Sequence, residues 1–280
     1  MHNISRIAAL AIACITSAAN AAEWSDSFIG YSYGSKFREP GSADDVKKHI
    51  VTLQYVGGYK YGVNFFSVDL LKSDLANPAK GPGLGTSSNT GAQELYLTYN
   101  NTLSFGKLSG TPLKFGPLRD VGMQAGFDFN AKNDAFGSGV VKLIGGPKVE
   151  FDVPGLLTLG LFYYRELHSN NGIVGSDVKS KAAPRLATVW AFDLNAGAPA
   201  VFKGWATHTG SKGKDGFGGN TSPETWVEAS LLWDIGAGSG KPKTFYAGLG
   251  YQYIKNKFGS QPSVPGSRVS APSLRFEAHF

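Results

Sequence analysis

Cysteine is nearly missing from this chain: the only one among 280 residues is Cys14, within residues 1–21. Residues 1–21 join Arg6, an apolar stretch and the small residues of Ala-Asn-Ala, which is the pattern of a secretory signal peptide cleaved before Ala22. The mature chain, 22–280, then has no thiol for a disulfide or a thiolate metal site. Export without disulfides is typical of the bacterial envelope.

Charge is also scarce. Charged residues make up 17% of the chain, and the net charge of +6 is spread out, with no basic run longer than Lys47-Lys48. Without a basic stripe, nucleic acid is not expected as a partner. The five histidines lack the spacing of metal ligands, so we expect no metal and no other cofactor. By contrast, 37 glycines and a 12% share of aromatic residues favour strands and turns over helices.

Long apolar runs are missing after residue 22, so no transmembrane helix of about 18 residues is predicted. Apolar and polar residues alternate with period two instead, which indicates β-strands with two different faces. Residues 273–280, for example, place Leu, Phe, Ala and Phe on one face and Ser, Arg, Glu and His on the other. The alternation is poor at 60–73 and 200–209, and the facing of these two strands stays open. The predicted strands lie near 26–38, 46–57, 60–73, 92–106, 119–132, 139–152, 155–168, 183–195, 200–209, 224–236, 243–256 and 268–280.

The strands are long, and their connections alternate between short turns and longer polar loops. Both features are typical of an outer-membrane barrel, in which closure gives every backbone group a partner. The C-terminal Phe280 resembles the insertion signal of such barrels. We therefore predict an all-β fold, a transmembrane antiparallel β-barrel of about twelve strands over 22–280, located in the bacterial outer membrane. The alternative is a periplasmic or secreted β-sandwich. Four aromatic residues are expected to form interfacial girdles: Tyr31, Tyr33, Trp190 and Trp233.

Two short motifs suggest a hydrolase. Residues 30–34 read G-x-S-x-G, the pattern of a nucleophile elbow, but a helix would have to follow and Pro40 breaks it. Residues 164–172, YRELHSNNG, partly resemble the motif of outer-membrane phospholipase A. Because Ser169 directly follows His168, the two side chains point to opposite faces unless a bulge intervenes. We therefore expect no enzymatic activity and keep a phospholipase-type hydrolase as the weaker alternative.

The inward face of the predicted barrel collects charged and aromatic side chains. Mixed charges pair across a narrow barrel and fill it, which is a purely structural role. Inward aromatic rings in a watery lumen suggest stacking on a flat solute, in weak sites that still allow passage. Candidate stacking residues are Tyr96, Tyr164 and Trp226. Candidate polar contacts are Lys36, Glu94, Asn100, Asp128 and Arg185.

Four segments resemble the Tsx/OmpK family of nucleoside-specific outer-membrane channels: IGYSYGSKFREP, GYKYGVNFFSVDLLKSD, LSFGKLSGTPLKFGPLRD and FYYRELHSNNG. The resemblance implies a monomeric twelve-stranded barrel with small-molecule solutes, nucleosides first. It implies that Lys36 and Phe37 line the solute path. Simple alternation points Phe37 outward, so a bulge or strand end must turn it inward. At a second family position, Asn171 precedes Gly172 where the family has an aromatic residue.

The sequence thus predicts an outer-membrane channel for passive diffusion of nucleosides or similar small solutes. A general small-solute porin is the first alternative, and a barrel that serves only as an adhesin or receptor is another. Outer-membrane lipid and lipopolysaccharide are expected partners. The resemblance adds phages or colicins as ligands of the loops.

Overall fold

The computed structural model describes residues 22–81, 88–134, 139–167 and 180–280. Within them the chain forms a closed barrel of twelve strands, each antiparallel to its neighbours in sequence, with β12 closing onto β1. The predicted fold class and strand number are confirmed. The strands are β1 Trp24–Phe37, β2 Val46–Tyr59, β3 Gly62–Ser73, β4 Gln93–Ser104, β5 Leu118–Lys132, β6 Val140–Phe151, β7 Leu156–Leu167, β8 Ala183–Asn195, β9 Pro199–Thr209, β10 Glu224–Asp234, β11 Phe245–Lys255 and β12 Val269–His279.

The two faces of each strand differ in burial as the alternation predicts. In β12, Leu274 and Phe276 are half exposed on the outer wall, whereas Glu277 points into the lumen and is buried. Directly paired residues of antiparallel strands share a face. The register therefore settles the facing of β9, because Trp205 pairs with the inward Glu228. In β3, Asp69 faces inward and accepts a hydrogen bond from Thr52.

Aromatic side chains mark both ends of the outer wall. Tyr33 lies against His49, with ring centroids 4.9 Å apart, near the end that carries the longer loops. Trp190 lies against Phe202 at 6.0 Å, and Trp233 donates to the carbonyl of Ala196, near the opposite end. Such belts lie at the two membrane interfaces of a transmembrane barrel.

The connections after the odd-numbered strands are mostly the longer ones. Those after the even-numbered strands are short turns, apart from the connections after β4 and β10, and both described chain ends lie at this second end of the barrel. We refer to the two ends as the loop end and the turn end; in outer-membrane barrels the loop end faces outward from the cell. One connection at the turn end contains a short helix, α1 Phe105–Ser109, capped by Ser104 and Gly110. Among the described residues, no helix is long and apolar enough to cross a membrane.

A bulge in β1 changes which side chains face the lumen. The β1–β2 register shifts between Gly34 and Phe37, so alternation slips by one residue. Phe37 consequently points inward and is only 5% exposed. The prediction that Lys36 points inward is wrong: its side chain lies on the outer surface and pairs with Asp45. The bulge that points Phe37 into the lumen thus also points Lys36 to the outer surface.

Candidate functional site

The lumen is the candidate site, and one of its walls is formed by β4, β5 and β6. Tyr96 donates a hydrogen bond to Asp128 at 2.9 Å and accepts one from the ammonium of Lys142 at 2.9 Å. The same ammonium lies 4.9 Å from the centre of the Tyr96 ring. The structure therefore brings two predicted site residues, Tyr96 and Asp128, into one network with Lys142.

Two further predicted residues lie on this wall. Glu94, nearer the loop end, accepts a hydrogen bond of 2.6 Å from the amide of Asn130. Asn100, nearer the turn end, accepts one of 3.2 Å from Gln124. The side-chain oxygen of Gln124 also accepts from Lys148, at 3.0 Å. Lys148 also donates to the hydroxyl of Thr102, and the carboxylate of Glu150 on the same strand is close enough to interact with it electrostatically.

Tyr164 and Arg185 stack on each other between β7 and β8. The guanidinium carbon of Arg185 is 3.8 Å from the Tyr164 ring centre, and its Nε donates to Thr209 at 2.8 Å. The Tyr164 hydroxyl donates to Glu166, which also pairs with Lys212 from the β9–β10 loop at 2.6 Å. Both predicted residues face the lumen, but Tyr164 is fully buried, so its ring packs against protein in this conformation.

Trp226 lies on the opposite wall, together with an aromatic residue that the sequence did not single out. The rings of Trp205 and Trp226 are 5.6 Å apart at 41°. Because β4 and β10 are six positions apart in the ring of twelve strands, these indoles lie across the lumen from Tyr96. The poor alternation of β9 concealed Trp205. Because β9 pairs with β10, whose alternation is regular, this pairing places the Trp205 side chain on the inner face.

Side chains fill the lumen at the loop end. An apolar cluster joins Phe37 to Val46, Ile254, Val269 and Ala271. Above it, Glu39 of the β1–β2 loop accepts from Lys48 at 2.5 Å and from Lys257 at 2.9 Å. Burial tends to raise the pKa of Glu39, but the ammonium groups of Lys257 and Lys48 outweigh it and hold the pKa well below its usual value.

The rim of the lumen at the turn end carries exposed groups. Val189 and Asp193 of β8 face inward, and the Asp193 side chain is 82% exposed. Deeper in this half, Lys203 pairs with Glu277 at 2.5 Å and Arg275 pairs with Glu228. The ammonium of Lys203 also lies 4.6 Å from the ring centre of the buried, inward Phe28.

Charges of both signs line the inner wall. β5 and β6 contribute the cations Lys132, Lys142 and Lys148 together with the carboxylates Asp128 and Glu150. β10 contributes the carboxylates Glu224, Glu228 and Asp234, and Glu228 pairs with Arg275 of β12. In the described part of the chain, no cluster of three or more His, Cys, Asp or Glu side chains is arranged to hold a metal ion.

The structure describes one of the two hydrolase-like motifs, and the His and Ser of the other lie outside the described residues. Ser32, in the G-x-S-x-G segment, lies inside the continuous strand β1, opposite Arg275, so the strand-to-helix elbow is missing there. His168 and Ser169 of the phospholipase-like segment lie outside the described residues, as do Asn171 and Gly172.

Comparisons with known proteins found neighbours in structure. No family model and no curated protein matches the sequence. An outer-membrane channel from Pseudomonas putida F1 is similar in structure, with a TM-score of 0.50, 9% identity, and coverage of 91% of this chain and 95% of that one. The NanC porin gives a TM-score of 0.49, 11% identity, and coverage of 92% and 99%. The KdgM porin gives 0.44, 8%, and coverage of 90% and 99%.

The barrel itself determines where the protein resides. Its strands form a closed ring with an apolar outer wall between two aromatic belts, and the Pseudomonas putida structure has the same fold. A closed barrel leaves no unpaired strand edge in lipid. The chain is therefore an integral β-barrel protein of the outer membrane.

Proposed function

We propose that the barrel is an outer-membrane channel for passive diffusion of nucleosides or similar small polar solutes. One observation carries the proposal: the lumen combines the ring pair Trp205 and Trp226 with hydrogen-bonding groups on the opposite wall. Indole faces suit a flat base, and amides and an ammonium suit hydroxyl groups. The resemblance to nucleoside channels points to the same solute class, and the neighbour from Pseudomonas putida is described as an outer-membrane channel.

The filled loop end favours a selective channel over a wide one. A solute entering there has to pass the apolar cluster around Phe37 and the buried carboxylate of Glu39. Weak contacts in series along such a path allow both capture and release. The proposal includes a monomeric barrel, lipopolysaccharide as the surrounding lipid, and loops available to phages or colicins.

Swelling of liposomes that contain the purified barrel tests the proposal. We expect nucleosides to enter faster than sugars of equal size. Replacing Trp226 by Ala removes a stacking surface worth about 1–3 kcal/mol per base, so the preference for nucleosides should fall at least about fivefold. Trp190→Ala is the matched control, because that indole lies on the outer wall.

A general small-solute porin is the second candidate. The observation in its favour is the charged inner wall, where most ionic groups have partners of opposite sign and none is reserved for one solute. Equal swelling rates for nucleosides and sugars, unchanged by Trp226→Ala, would support this candidate and contradict nucleoside selectivity.

A further inference from the structure

The outer wall carries a polar pocket at the loop end, where β1 meets β12. It has a volume of about 210 Å³ and is lined by Lys36, Arg38, Asp45, Arg268 and Ser270. The side chains of Lys36 and Arg38 are 58% and 43% exposed. These cations are therefore accessible from outside the barrel and separate from the lumen.

Asp45 organises the cations without neutralising them. Its Oδ2 accepts from Lys36 at 2.5 Å and its Oδ1 accepts from Nε of Arg38 at 3.1 Å. These hydrogen bonds lower the pKa of Asp45, so the carboxylate stays ionised. Three cations and one carboxylate leave a surplus of two positive charges in the pocket. The terminal nitrogens of Arg38 and the remaining ammonium donors of Lys36 stay available for an anion.

Tyrosines lie on the outer wall directly below this pocket. Tyr31 and Tyr33 of β1 are on the outer face, as are Tyr251 and Tyr253 of β11. The pocket is joined to them, because Arg268 donates to the Tyr253 hydroxyl at 3.1 Å and Ser270 lies 2.6 Å from that of Tyr251. An aromatic belt marks the membrane interface, so cations just beyond it lie at the depth of the lipid headgroups.

We propose that this pocket binds a phosphate group of a phosphorylated lipid in the outer leaflet. Arginine presents paired donors that match phosphate oxygens, and basic residues beside a membrane attract anionic headgroups. The tyrosine belt below places the lipid's sugar and acyl portions against the outer wall, which a free phosphate ion would not use. The site is independent of the proposed solute path.

Native mass spectrometry of the full barrel in detergent tests the assignment with three probes: bisphosphorylated lipid A, the same lipid after enzymatic dephosphorylation, and inorganic phosphate. We expect one tightly held molecule of the bisphosphorylated lipid and at least about tenfold weaker binding of the dephosphorylated form. Equal binding of the two lipids overturns the proposal. Inorganic phosphate that binds as tightly as the lipid also overturns it, because the site would then recognise the free ion.

Substitutions locate the binding. Lys36→Gln with Arg38→Gln and Arg268→Gln should weaken lipid binding at least about tenfold, because each cation near an anionic headgroup contributes a factor of about five. The control removes the same charge at the turn end, with Lys60→Gln, Lys107→Gln and Lys114→Gln, and should bind lipid normally. Heat-modifiable migration on gels verifies that both variants are folded.

The substitution Asp45→Asn distinguishes a phosphate-binding pocket from a set of contacts that only orders the loop. If the pocket holds phosphate, removing the competing carboxylate strengthens lipid binding about fivefold, because the positive surplus grows by one charge. If Asp45 only orders the loop, its removal weakens binding. A weaker complex in Asp45→Asn, or an unchanged one in the triple Gln variant, contradicts the proposal.

Discussion

At the scale of single residues, Lys36 and Phe37 show how far alternation can be taken. Period two correctly assigns the inner face to Tyr96, Asp128 and Trp226, because their strands are regular. It fails at Lys36, since the bulge after Gly34 depends on how β1 pairs with β2. That pairing depends on both strands together, so the residues of one strand alone do not predict the bulge.

Tyr96→Phe removes the hydroxyl that joins Asp128 to Lys142. Asp128 is only 5% exposed and receives a hydrogen bond of 2.9 Å from this hydroxyl. Leaving a buried carboxylate without its donor costs about 1–3 kcal/mol of the free energy of unfolding. We expect this loss in urea unfolding of the vesicle-inserted barrel. Tyr251→Phe on the outer wall is the control, and an equal loss there would contradict the explanation.

At the scale of elements, the loop between β1 and β2 folds back over the lumen. The sequence predicts this segment as a connection, and Pro40 and Gly41 agree with that. Its inward position depends on Glu39 reaching Lys48 and Lys257, which lies 218 residues further along the chain. Contacts this distant in sequence follow from barrel closure, so local patterns do not reveal them.

Glu39→Gln should release this loop. The substitution leaves the buried ammonium groups of Lys48 and Lys257 without their shared carboxylate. Breaking a buried ion pair costs about 3–5 kcal/mol, so the docked position of the loop should be destabilised by an amount of that order. Limited proteolysis within residues 38–45 should become faster, and Asp44→Asn, which changes an exposed carboxylate in the same loop, should not change it.

Acid should act in the same direction as Glu39→Gln. The pKa of Glu39 is lower in the docked loop than its usual value of 4.5. Its contribution to docking is therefore complete above about pH 4.5 and is lost as the pH falls through the lower pKa of the docked state. Proteolysis of the loop by an acid-stable protease should accelerate only below about pH 4.5. Onset near neutral pH would point to another group.

At the scale of the whole molecule, ionic contacts connect strands that are not neighbours. Arg275 of β12 reaches Glu228 of β10, and Lys203 of β9 reaches Glu277 of β12. These contacts span the lumen between strands that are not hydrogen-bonded to each other, and they resist flattening of the barrel. Strand number, length and closure were predictable because clear alternation recurs in ten of the twelve strands and long and short connections recur between them. The ionic contacts across the lumen were not predictable, since they depend on strand tilt and stagger.

A double-mutant cycle measures the coupling energy of one such contact, between Arg275 and Glu228. Arg275→Gln and Glu228→Gln should each lower the free energy of unfolding, and the double variant should lose less than the sum. We expect a coupling energy of about 1–3 kcal/mol, because the residues are in direct contact and partly buried. Additive losses in urea unfolding would show that the ring does not depend on this brace.

The paired charges on the inner wall bear on the proposed passage of solutes that carry no net charge. Oppositely charged side chains lie beside each other there, as Lys203 and Glu277 do, so a local electric field surrounds each pair. A polar molecule aligns its dipole with that field, whereas a nonpolar one must displace water that the field already holds in order. If the barrel is the channel proposed above, it should therefore sort neutral molecules of one size by dipole moment, and permeation should follow polarity before it follows shape.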